Sequence, residues 1–173
     1  MLRQIKVRYD TLEDRLLLSL QMDGQTHHLL LTRRVWKRAR LALQRLLDLS
    51  AETPSSLPRI VRDSISAAHH QAVASQTLAV REPSPASGTP PEAALVTGLR
   101  LGERKATADA KASRRWVLLF ELNGRADLRL VLNDKTLHAL VGAMLQREES
   151  AAWSLPALPV KAALVPENKP TLQ

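Results

Sequence analysis

Apolar residues recur at every second position through Arg15–Met22 (Leu16, Leu18, Leu20, Met22) and again through Arg115–Leu122 (Trp116, Leu118, Phe120, Leu122). A period of two is that of a β-strand with one buried face. The two runs align without a gap, and the turn glycines that follow them, Gly24 and Gly124, lie a hundred positions apart. After each glycine come a second apolar run and then a helical pattern. Val35, Trp36, Ala39, Leu43, Leu46 and Leu47 form one stripe; Leu137, Leu140, Val141, Met144 and Leu145 form the other. Such stripes predict amphipathic helices, with Arg33, Lys37, Arg40 and Gln44 opposite the first. Thr32 and Asn133 stand where N-caps belong.

A further strand precedes each copy. Leu2–Tyr9 alternates, with Ile5, Val7 and Tyr9 on its core side and Arg3, Lys6 and Arg8 among the remaining polar positions. It reads as a half-buried strand near a sheet edge. Leu95–Leu101 opens the second copy. The fold class expected is therefore α+β: two tandem βββα units, each an antiparallel meander plus a helix, packed as an intramolecular pseudo-dimer with an extra bridging helix. One such unit of about fifty residues is near the lower limit for an independent core, which is why the two copies must meet.

The turns can be specified further. Asp-Gly and Asn-Gly ordinarily mark two-residue hairpins. At Asn123-Gly124, however, that register would set Phe120 opposite Asp127 and Leu118 opposite Arg129, with charges on the buried face. A one-residue slip reverses every side chain, so parity favours a three-residue loop, Leu122-Asn123-Gly124, pairing Leu118 with Leu128 and Trp116 with Leu130. The same register in the first copy brings His28 and Leu30 to the core face.

Five regions follow: residues 1–49, the first βββα unit; 50–81, a bridging helix; 82–92, a Pro-rich linker; 93–149, the second unit; and 150–173, an extended or disordered C-terminal tail. In the bridging segment, Leu57–Val80, residues Leu57, Ile60, Val61, Ile65, Ala68 and Ala72 make a weak apolar face. Four prolines, Pro83, Pro85, Pro90 and Pro91, lie in the stretch that begins at Arg81, a linker composition. The connection at 102–113 reads as mobile. In the tail, Trp153, Leu155 and Leu158 are candidates for docking on the sheet or on a partner.

The chain has 173 residues and no cysteine, which removes disulfides, thiolate metal sites and cysteine nucleophiles together. No signal-peptide h-region and no apolar run of transmembrane length is visible. A soluble protein of a bacterial-type cytoplasm is the expectation. Net charge is +8, unevenly placed. Six bases and no acid fall within Arg33–Arg45: Arg33, Arg34, Lys37, Arg38, Arg40 and Arg45. Arginines in a first helical turn oppose the helix dipole, so helix stability does not explain Arg33 and Arg34. The segment is the candidate contact for an anionic partner, nucleic acid included.

Candidate chemistry is sparse. His27-His28 and His69-His70 are adjacent pairs and His138 stands alone; none has metal-ligand spacing, and surface or half-buried positions are expected. A buried His28 beside a carboxylate in a pocket would favour an enzyme. Asp10, Glu13 and Asp14 read as a solvated turn, and Glu148-Glu149 as a helix end. No nucleophile elbow and no phosphate-binding glycine loop occurs. No catalytic residue, cofactor or metal is implied. The tandem βββα plan with a basic surface resembles, at the level of fold alone, single-strand nucleic-acid binders of the whirly and PUR type. Against that, such binders stack bases on exposed aromatics, and this chain has only five, four of them expected in the core. The reading is a non-catalytic protein-interaction or assembly protein whose partner is another protein, with a homo-oligomer left open. The alternative is a basic nucleic-acid-binding protein contacting phosphates through Arg33–Arg45.

Overall fold

In a computed structural model, residues 2–75, 89–104, 114–156 and 158 are described. Most of the Pro-rich linker, the part of the 102–113 connection after Arg104, and the tail beyond Leu158 lie outside them. The elements are β1 (Leu2–Asp10), β2 (Arg15–Met22), β3 (Gln25–Thr32), α1 (Arg33–Ser50), α2 (Arg59–Ser75), β4 (Ala94–Arg104), β5 (Arg115–Leu122), β6 (Leu128–Leu132) and α3 (Asp134–Ser150). The protein is α+β, and the strand–strand–strand–helix order occurs twice.

The strands form one sheet in the order β1-β2-β3-β4-β5-β6, antiparallel within each set of three. β1 is an edge strand, as its half-polar pattern predicts. Across the join β3 and β4 run parallel and pair at Leu29–Ala94 and Leu30–Leu95. Leu16, Leu18, Leu20, Leu29 and Leu31 of the first set, and Trp116, Leu118, Phe120, Leu130 and Leu132 of the second, share one core with both helices. Each fully buried large apolar side chain there contributes roughly 1.5–3 kcal/mol. The helices exchange places: α1 leaves β3 to lie along β4, and α3 leaves β6 to lie along β1. Arg147 of α3 donates from Nε to the Val7 carbonyl of β1 at 3.2 Å.

Both predicted N-caps are made: Thr32 Oγ1 accepts from Val35 N (3.3 Å), and Asn133 Oδ1 accepts from Thr136 N (2.8 Å). The two hairpins differ. In the second unit the even pairing holds, but the register lies two residues from the expected one: Phe120 opposes Leu128, Leu118 opposes Leu130 and Trp116 opposes Leu132. In the first unit the expected three-residue loop is corrected. Met22 pairs with Gln25 across Asp23-Gly24, both at positive φ (50° and 81°), the backbone of a type I′ turn. Leu29 and Leu31 therefore face the core, in place of His28 and Leu30. The physical reason is that Leu29, Leu30 and Leu31 are all buried. A run apolar on both faces tolerates either parity, so the Asp-Gly preference decides.

The bridging helix is also turned from the expected face. Among its described side chains Ser66, Ala67 and His70 are buried, whereas Ile60, Val61, Ile65, Ala68 and Ala72 are exposed. α2 rests on α1 and α3 through small and polar groups, Ser66 Oγ donating to Asp48 Oδ1 at 2.7 Å. Specific polar partners on α1 and α3 outweigh a weak apolar moment.

Candidate binding cleft

β4 pairs with β5 from Val96 to Arg104, but with β3 only through Ala94 and Leu95 among the described residues. β3 ends at Thr32 and the chain turns into α1, so from Thr97 onward no described strand adjoins that edge of β4. α1 lies across the gap, and a cleft of about 610 Å³ remains between them. Its floor and walls include Val35, Ala39 and Ala42 of α1 and Val96 and Leu99 of β4. The two alanines leave space that larger stripe residues would fill. Arg34 and Arg38, one turn apart on α1, stand on one side, and Arg100 on the other. Glu121 is the acid that lines the cleft; it pairs with Arg100 and lies against Gly98, where a Cβ would collide with it.

The six cations of the Arg33–Arg45 segment separate into three groups. Arg34 and Arg38 are exposed and line the cleft. Arg33, Lys37 and Arg45 are exposed outside its lining; Arg33 lies near enough to Asp14 to help hold that carboxyl down. Arg40, expected on the solvent face, is 2% exposed. Its Nη1 donates to Glu148 Oε1 at 2.8 Å and its Nη2 to the Pro156 carbonyl. Trp36 Nε1 completes the arrangement on Glu148 Oε2 at 2.6 Å. Glu148 is accordingly no solvated helix-end residue.

The tail residues Trp153, Leu155 and Leu158 pack on the chain's own core. Trp153 Nε1 and the Tyr9 hydroxyl both donate to Asp14 Oδ1, and the two rings meet edge to face. The Asp14 carboxyl is held below its usual range, first by Trp153 and then by Tyr9. Asp10, expected to be solvated, is buried and caps the turn through the N–H groups of Leu12 and Glu13. Its pKa is lowered chiefly by the Thr89 hydroxyl, against the effect of burial.

Sequence reasoning missed a buried polar chain. Trp116 Nε1 (2.6 Å) and Ser50 Oγ (2.8 Å) donate to Asp134 Oδ1. Ser50 Oγ lies 3.1 Å from His138 Nε2, and His138 Nδ1 lies 2.9 Å from His70 Nδ1. A carboxylate only accepts, so the Ser50 proton points to Asp134 and its oxygen accepts from His138 Nε2–H. His138 Nδ1 is then an acceptor, and His70 must carry its proton on Nδ1. Burial first, and the neighbouring imidazoles second, lower both pKa values to about 4. Both histidines are buried, contrary to expectation. Ser, His and Asp meet here, but in the order Asp–Ser–His, in which the carboxylate does not orient the imidazole as an acyl-transfer triad requires.

His28 is half-buried in a second cleft, of about 420 Å³. Its Nδ1 lies 2.9 Å from Ser19 Oγ, and its Nε2 is 3.6 Å from Glu92 Oε1. That order, carboxylate–imidazole–hydroxyl, is the one a nucleophile relay needs, but the Glu92 contact exceeds hydrogen-bond length and its side chain is 59% exposed. Ser19 lies mid-strand, away from any strained turn. Among the described residues no group of three or more His, Asp or Glu is arranged to hold a metal ion, and no helix is long and apolar enough to cross a membrane.

No protein-family model, curated protein or solved structure matches this chain.

Proposed function

We propose that this is a non-catalytic interaction protein that receives a polypeptide partner in the cleft between α1 and β4. The observation that carries the reading is the cleft's construction: an apolar floor, an open strand edge and arginines at the rim. Main-chain edges and apolar pockets are the means by which extended peptides are recognised. The aromatic inventory supports the same reading. Trp36, Trp116, Phe120 and Trp153 are buried and Tyr9 is half-buried against Trp153, so no exposed ring offers a platform for stacking bases.

The test is co-purification of a stoichiometric protein with the full chain, repeated with Ala42→Trp, which fills the cleft, and with Arg34→Gln/Arg38→Gln. Loss of the partner from variants with unchanged circular dichroism supports the proposal; retention by both overturns it.

A second reading rests on the exposed cations Arg33, Arg34, Lys37, Arg38 and Arg45, which suit a phosphate backbone. It predicts salt-steep binding of single- or double-stranded oligonucleotides. Micromolar or tighter binding at physiological salt, lost in Arg34→Gln/Lys37→Gln/Arg38→Gln, would replace the polypeptide reading with this one.

A further inference from the structure

We infer that the occupant of the cleft is an acidic, extended segment of a partner protein, which adds to β4 as a further strand with acidic residues at alternate positions. The inference rests on the cleft being a polypeptide site and specifies the partner's chemistry.

The backbone supplies the first argument. In an antiparallel pair, alternate residues of a strand turn their N–H and C=O groups away from the neighbour. β4 is paired with β5 through Arg104, while its other edge has no described strand after Leu95. Exposed edges of this kind are templates for pairing with another chain, and proteins ordinarily cover or charge them. On the other side of the molecule an edge is covered: α3 lies along β1, and Arg147 occupies the Val7 carbonyl. α1 lies along β4 in the corresponding way but presents Val35, Ala39 and Ala42, and the cleft stays open. β4 also keeps a glycine that its own packing does not require, since a Cβ on Gly102 would meet nothing within 4 Å. A glycine inside a strand commonly marks the close approach of another backbone.

Charge and spacing supply the second. Arg34 and Arg38 are exposed and make no ion pair with any described residue, whereas Arg100 already has Glu121. Four residues along a helix advance by about 6 Å. Two residues along a strand advance by about 6.6 Å, onto the same face. Acidic side chains at alternate positions of an added strand thus meet Arg34 and Arg38 in turn, while the intervening side chains turn the other way. The net charge of +8 disfavours a second copy of this chain as the source.

The experiment uses the full chain and a fluorescein-labelled synthetic peptide of alternating Glu and Val, followed by fluorescence anisotropy and amide hydrogen exchange. The expected result is saturable binding, new protection of amides within Thr97–Arg104, and weakening by about tenfold or more in Arg34→Glu/Arg38→Glu. These are exposed positions, so folding is not at risk. Binding should vanish when alternate peptide nitrogens are N-methylated, and the Lys–Val peptide should not bind. Equal binding of the N-methylated peptide overturns strand addition, and equal binding of the Lys–Val peptide overturns acid selection. A helical acidic peptide or an oligonucleotide displaced by Ala42→Trp would also sink the inference, the former while leaving the cleft as a polypeptide site. Absence of binding by the Glu–Val peptide overturns the inference alone; the cleft's role is decided separately by co-purification with the Ala42→Trp variant.

Discussion

Arg40 and Glu148, one from each βββα unit, meet at 2.8 Å with both side chains under a tenth exposed. Trp36 donates to the same carboxylate and the Pro156 carbonyl accepts from Arg40. The pair joins α1 to the last turn of α3. Two charges taken out of water are expensive, and removing one strands the other. Arg40→Ala and Glu148→Ala should each destabilise the protein by about 3–5 kcal/mol in denaturant titrations. Arg40→Met with Glu148→Leu should recover much of that loss. Full additivity of the two changes would show that they are not coupled.

The buried His70–His138 pair predicts an acid-sensitive fold. Each imidazole has a pKa of about 4 in the folded protein against 6.5 in the free side chain. Below pH 6.5 the unfolded chain takes up protons that the folded chain excludes, so stability is whole above 6.5, falls as pH drops, and levels off near 4. The cost is about 1.4 kcal/mol per pH unit for each histidine that titrates. The lowered carboxylates Asp10 and Asp14 act only below the ordinary aspartate range, 3.8. A His70→Asn/His138→Asn variant should therefore flatten the profile of denaturation midpoint between pH 6.5 and 4. An unchanged slope would place the sensitivity elsewhere.

Trp153 ties the segment after α3 to the start of β2 through Asp14. Trp153→Ala should destabilise by about 3–5 kcal/mol. Asp14→Ala removes the shared acceptor of Trp153 and Tyr9, and should raise proteolytic sensitivity after Ser150 while the sheet stays folded. Limited proteolysis with mass spectrometry checks this, and protection equal to the parent's would sink it.

The glycines sort by conformation. Gly24 and Gly124 have φ of 81° and 66°, so Gly24→Ala and Gly124→Ala should each cost about 1–2 kcal/mol. Gly102→Ala meets nothing and should be neutral or stabilising by up to about 1 kcal/mol. Thermal melts of the three variants give the comparison directly.

Strand positions, helix caps and the apolar stripe of α1 were legible because they depend on neighbours within one element. Thr32 and Asn133 cap helices by local geometry, and Leu16, Leu18 and Leu20 alternate because a pleat alternates. The even pairing at the second hairpin was legible because Asp127 and Arg129 cannot face a core. The first hairpin was not, since three consecutive leucines satisfy both registers and erase the parity signal, which leaves the two-residue turn at Asp23-Gly24 to select one. Arg40 looked like its exposed neighbours until α3 brought Glu148 to it. α2 shows an apolar stripe to solvent because Asp48 and His138 lie on its other side. The cleft exists because β3 pairs with β4 no further than Leu30 among the described residues and α1 meets β4 with alanines. Periodicity measures how a residue stands toward its own helix or strand. Which buried polar groups find each other, and where an edge is left open, depends on elements distant in sequence, and the tertiary structure alone decides it.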